Sequence, residues 1–177
     1  MIGFLRCIGL LNAAVWFGAA VFFMLGVGAA ISSGDMQQLL EAYYPSYSLR
    51  IAEIVIARYY KLAIVCGVIA ILHLLAEQLY FGRAPQKRWL GLLVGMFAFV
   101  LVGDFGLQPK LNHLRTNRYA VNAPAQVRAV ATESLKVWNR VSWTGNFLVL
   151  VGLGFYLVRV GNPSDSTRFI GSGKFRS

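Results

Sequence analysis

Four apolar stretches divide this chain: Cys7–Ile31, Ala63–Ala76, Trp89–Gly103 and Val141–Val158. The first carries no formal charge over its whole length. The other three are shorter at their strictest, and flanking residues extend each of them. A bilayer hydrocarbon core is crossed by about 20 predominantly apolar residues of helix. A chain of 177 residues with four such stretches in succession is expected to be an all-α integral membrane four-helix bundle. The pattern predicts helices over about 4–31, 49–81, 87–112 and 124–159, forming one transmembrane domain over 1–160.

The connections read as follows. Ser32, Ser33, Gly34 and Asp35 break the first helix. Met36, Leu39, Leu40 and Tyr43 then fall at helical spacing, predicting a short amphipathic piece at the membrane interface. Tyr43, Tyr44 and Tyr47 suit that boundary, where a ring with one apolar and one wet end is favoured. Arg50, Glu53, Arg58 and Lys61 place the first turns of the second helix outside the hydrocarbon. Gly82-Arg83-Ala84-Pro85 is a tight connection, Pro109 is expected to bend the third helix near Phe105, and Pro124 suits the first turn of the fourth. Residues 161–177 are polar and Gly/Ser-rich and predict a flexible tail, of which about Pro163–Ser177 is expected to be dispensable for folding. Small residues four apart, at Ala14/Gly18, Ala63/Gly67 and Gly91/Gly95, are candidates for close helix approach.

Composition narrows the class. Charged residues are 14%, against roughly 25% in an ordinary soluble domain. The formal charge is nevertheless +10. With no basic domain to carry nucleic-acid binding, that charge reads as helix-end anchors facing anionic lipid, so the bilayer is the expected partner and nucleic acid is not. The short loop with Arg83, Lys87 and Arg88 and the tail with Arg159, Arg168, Lys174 and Arg176 favour cytoplasmic placement of both termini. The expected location is therefore the plasma (inner) membrane, multi-pass. Cys7 and Cys66 both lie in apolar segments and read as small hydrophobes, with no disulfide framework or metal signature.

Polar side chains within apolar helices are costly and usually face the bundle interior. Asp104, Gln108, Asn112 and Arg115 share one face of the third helix, beside the Pro109 bend. Asn139, Trp143 and Asn146 share a face near the start of the fourth, next to Arg140. Arg58 enters on the same side of the membrane. Asp104 is expected to pair with Arg140, or failing that with Arg58, beside a polar pocket on the non-cytoplasmic side. The alternative is a structural ion pair where a helix leaves the membrane. A second group, His73 and Glu77, lies toward the opposite end, with Asn12 at similar depth. One histidine is a weak metal signal, and a hydrogen-bonded pair near Arg83 explains the spacing equally well. No catalytic set and no metal site is assigned. Nucleophile-elbow, phosphate-loop and zinc-protease patterns are absent from the sequence, and the two deep acids lie too far apart for a di-iron cage.

These features resemble the transmembrane protein 205-like family, four-helix proteins with a domain of unknown function. The matching segments are Trp16-Phe17-Gly18, Tyr44–Tyr47, Gly103–Arg115 and Trp138-Asn139-Arg140. Ser142 stands where that family suggests a histidine nearby. The resemblance implies an integral membrane protein associated with drug or metal resistance. A more distant similarity, through Pro109 and Asn112, is to anthrone-oxygenase-like four-helix proteins. Three function classes follow: a small-solute or ion transporter, as a homo-oligomer or with a membrane-protein partner; a membrane-bound oxidoreductase on a lipophilic substrate; and an accessory subunit of a larger complex. No cofactor is assigned.

Overall fold

In the computed structural model, residues 2–31, 33–44, 46–81, 87–119 and 123–162 are described. The chain folds as α1 (Ile2–Val21), a π-helical segment (Phe22–Val27) and α2 (Gly28–Ile31) in continuous succession. Then come α3 (Gly34–Leu40), a 3₁₀ turn (Glu41–Tyr43) and α4 (Ser46–Phe81). The third span is α5 (Lys87–Val102), a π-helical segment (Gly103–Leu107) and α6 (Gln108–Tyr119), and the fourth is α7 (Ala125–Gly161). No strand occurs among the described residues. Four helical stretches are long and apolar enough to cross a membrane: Cys7–Ile31, Tyr47–Leu79, Lys87–Tyr119 and Ala125–Gly161. Helix is the spanning solution because it satisfies every backbone N–H and C=O internally where no water is available.

The bundle closes on itself. α1 packs against α4 and α7, α4 against α5, and α5 and α6 against α7. Sequence neighbours are thus spatial neighbours, as short connections impose on antiparallel helices. The main core gathers Ala13, Trp16, Tyr59, Tyr60, Ala63, Leu74, Leu93, Met96, Leu153 and Tyr156 along the bundle axis. A smaller cluster of Leu107, Leu111 and Leu135 joins α6 to the first half of α7. Large apolar side chains such as Leu72, Leu79, Val102, Phe105 and Phe155 remain on the outside, as the solvent for this surface is lipid. α4 has 36 residues and α7 has 37. At 1.5 Å per residue each is about 54 Å long, against roughly 30 Å of hydrocarbon. α4 and α7 are therefore each longer than the apolar layer, and the start of α4, α6 and the first turns of α7 carry many of the polar residues.

Several local features follow from single residues. The Ser33 side chain caps α3 by accepting from the Met36 N–H at 3.2 Å. Glu41, at φ 40°, turns the chain into the 3₁₀ segment. Pro109 has no N–H, so the α pattern cannot pass through it. The helix accommodates this by a π turn just upstream, where the Gln108 N–H donates to the Gly103 carbonyl, and then runs on to Tyr119, past the expected end near 112. Pro124 is the residue before the first turn of α7 and not within it; its carbonyl accepts from the Arg128 N–H at 3.2 Å.

Close helix approach uses one of the three expected small-residue pairs and other glycines besides. Ala14, Gly18, Gly91 and Gly95 lie on exposed faces. Of the expected pairs, Ala63/Gly67 is at an interface, where a Cβ on Gly67 would stand 2.5 Å from the Phe97 ring. Gly103 receives the Tyr60 ring, with a virtual Cβ 2.7 Å from the Tyr60 hydroxyl. Residues 163–177 and the 82–86 connection, including Arg83 and Gln86, lie outside the described residues, so the expectations for tail and loop are not addressed by the fold.

Candidate functional site

A cavity of about 380 Å³ lies where the end of the first span, the start of α4, the head of α6 and the middle of α7 converge. Its apolar wall is built by Phe23, Met24, Val27 and Ile31 from the first span, Leu49, Ala52, Ile56, Tyr59 and Tyr60 from α4, and Leu107 and Leu111 from the third. Its polar wall is Gln108 and Arg115 from α6 with Asn139, Ser142, Trp143 and Asn146 from α7. Both π-helical segments contribute to it: Phe23, Met24 and Val27 from one, Leu107 from the other. A π turn rotates the residues that follow it relative to an unbroken α-helix, which is a common way of redirecting side chains at functional sites. Here it aims Gln108 and Leu111 inward. Both are buried, at 7% and 5% exposure.

The wall's polar groups differ in how they are satisfied. Asn146 Nδ2 donates to Ser142 Oγ at 3.5 Å, a long bond between neighbours on α7. Gln108 Oε1 is buried with no hydrogen-bond partner. Trp143, 57% exposed, forms the outer rim. Arg115, half-buried, connects the cavity to a second polar depression of about 360 Å³ lined by Leu49, Arg50, Glu53, Asn112, His113, Arg115, Thr116 and Tyr119. In that depression Asn112 Nδ2 donates to Glu53 Oε1 at 2.7 Å, and Arg115 Nη1 approaches Asn112 Oδ1 at 3.5 Å. Arg50 pairs with Glu53 at 3.2 Å. This Glu53–Asn112–Arg115 set ties α6 to the head of α4.

The sequence-predicted residues divide accordingly. Gln108, Arg115, Trp143 and Asn146 meet in the cavity wall. Asn112 joins the adjoining depression instead. Asp104, one turn before Gln108, is half-buried and lines neither space. Among the described residues it forms no ion pair with Arg140 or Arg58, both of which are exposed. The reason is angular. The α7 face toward the bundle is Ala131, Leu135, Gly145 and Val149, with Asn139 and Ser142 beside it. Arg140, one residue on from Asn139, is rotated about 100° away. Glu53 and Ser142 were not singled out as site residues. Glu53 was legible as an acid three residues after Arg50, but its tie to Asn112 spans 59 positions.

At the opposite end, His73 and Glu77 do not pair with each other. His73 Nε2 lies 2.8 Å from the Leu5 carbonyl oxygen, an acceptor only, so that nitrogen carries the proton. Its ring is seated on Gly9, where a Cβ would collide with it. Asn12 Nδ2 donates to the Cys66 carbonyl at 2.9 Å. Glu77 faces Arg159 at 3.8 Å, and that guanidinium lies 5.2 Å from the Trp89 ring. These groups tie α1 and α7 to α4, and α5 to α7. Among the described residues no group of three or more His, Cys, Asp or Glu side chains is brought together.

Fold and surface define an integral membrane protein of four helical spans. The chain belongs to the family described as Domain of unknown function (DUF4149), whose model matches residues 11–120, from α1 through the end of α6. No curated protein matches the chain, and no solved structure does. The match gives no support to the transmembrane protein 205-like or anthrone-oxygenase-like resemblance.

Proposed function

We propose that the protein binds small lipophilic solutes in the interhelical cavity, as a step in moving them between the bilayer and the non-cytoplasmic surface. The observation that carries this reading is the cavity itself. Its 380 Å³ falls in the range of small-molecule sites, and its mostly apolar lining with a few convergent polar groups is the usual composition of one. It opens past the exposed Asn139 and Trp143, so a solute enters from the membrane boundary without unfolding the bundle. A resistance-type role, suggested by the resemblance to transmembrane protein 205-like proteins, is compatible with such a site. The oxidoreductase reading loses its candidate pair, since His73 and Glu77 are each committed to structural partners.

Binding is tested with diphenylhexatriene, an apolar fluorophore that accepts energy from tryptophan. Protein in nanodiscs should show saturable one-to-one transfer that drops in Trp143→Phe and in Ser142→Phe, which fills the cavity. Transfer that never saturates and that Ser142→Phe leaves unchanged belongs to bulk lipid and overturns the reading. The orientation that goes with this proposal has both termini cytoplasmic and the cavity on the opposite side.

A further inference from the structure

We propose that the cavity selects neutral lipophilic molecules carrying a hydroxyl, and that the Gln108 side-chain amide is the selecting group. This rests on the cavity being a solute site, as proposed above. Gln108 lies deep in the cavity wall, 7% exposed, flanked on its own helix face by Leu107 and Leu111. Its Oε1 has no partner among the described residues. A buried carbonyl oxygen left unpaired is costly. Oε1 is closed off as the side chain stands, and rotation about the soft terminal amide torsion turns it toward the cavity, where a solute that donates to it removes that cost. A hydroxyl both donates and accepts, so it can serve the oxygen and the nitrogen of one amide together. An ether can only accept and leaves Oε1 bare.

The head group should also be neutral. Arg115 is the cation in the wall, seven residues and thus about 10 Å further along the helix axis from Gln108. It sits at the Glu53–Asn112 cluster, where a carboxylate is already present. An anionic head drawn to Arg115 would meet Glu53, and its tail would still leave Gln108 facing hydrocarbon.

The test is displacement of diphenylhexatriene by para-octylphenol, by its methyl ether para-octylanisole and by decanoate, in wild type and in Gln108→Leu. The ether partitions more strongly into lipid, so the measured quantity is the phenol-to-ether ratio compared between the two proteins, in which partitioning cancels. Wild type should favour the phenol about tenfold more than Gln108→Leu does, in line with the penalty for one unpaired buried group. Gln108→Leu should keep its energy transfer from Trp143. If that variant does not fold, Gln108→Met keeps the side-chain length and serves in its place. An equal ratio in wild type and variant overturns the inference while leaving the cavity as a solute site. Decanoate displacing best, with the advantage lost in Arg115→Gln, overturns it in favour of an anionic head. Absence of saturable diphenylhexatriene transfer in wild type removes the solute site and this inference with it.

Discussion

At the scale of single residues, Gly9 and His73 show how closely the first two spans are fitted. The imidazole occupies the space a Cβ on Gly9 would need, and its Nε2–H is fixed on the Leu5 carbonyl. Buried at 7% exposure, the ring has little room to yield. Gly9→Ala should therefore destabilise by about 1–3 kcal/mol, the usual range for overpacking a tight contact. A melting curve in detergent checks this. The opposite expectation holds for Asp104 and Arg140. They form no ion pair, so replacing both by neutral residues should cost the sum of the single changes, within about 0.5 kcal/mol. A coupling of several kcal/mol in that cycle would restore the pairing that residue types and depth first suggested.

At the scale of elements, α6 is attached by a small apolar cluster and a few polar contacts. Leu107 and Leu111 pack on Leu135 of α7, and Asn112 reaches Glu53 of α4. Asn112→Ala removes the 2.7 Å bond to a carboxylate that Arg50 still pairs with, so about 1 kcal/mol of local stability should be lost. The change should appear as faster hydrogen exchange in α6 with the spans α4 and α7 unaffected, since low-stability segments open separately from the core. The π turn at Gly103–Leu107 belongs to the same element and follows from Pro109, whose missing N–H the sequence displays. A second π segment, Phe22–Val27, has no proline to announce it.

At the scale of the whole molecule, four spans place the two ends of the described chain on one face of the bilayer. The basic residues near the 82–88 connection favour the cytoplasm for that face. Single cysteines introduced at Gln86 and at Asn162, in a background lacking Cys7 and Cys66, should resist an impermeant thiol reagent added from outside intact cells. A cysteine at Asn139, on the cavity rim, should react. The reverse pattern would invert the protein and put the cavity on the cytoplasmic side.

The sequence by itself determined the class and the span count, because a helix long and apolar enough to cross a bilayer is recorded continuously along the chain. It also marked the polar face of α6, since 3.6-residue periodicity aligns Gln108, Asn112 and Arg115 without reference to any other helix. It could not say which of those side chains would be buried, paired or left facing a cavity, because that depends on how helices distant in sequence rotate against one another. Asp104 and Arg140 had complementary charge and matching depth, yet the helix rotations keep them apart. Small-residue spacing was a partial guide for a similar reason: Gly and Ala are frequent in all four spans, and packing kept Gly67 of the expected residues, added Gly9 and Gly103, and left Gly18, Gly91 and Gly95 exposed. Only the tertiary structure decided that Gln108 is buried with an unpaired oxygen, since the residues that share its cavity, Tyr59 and Tyr60 among them, come from distant parts of the chain.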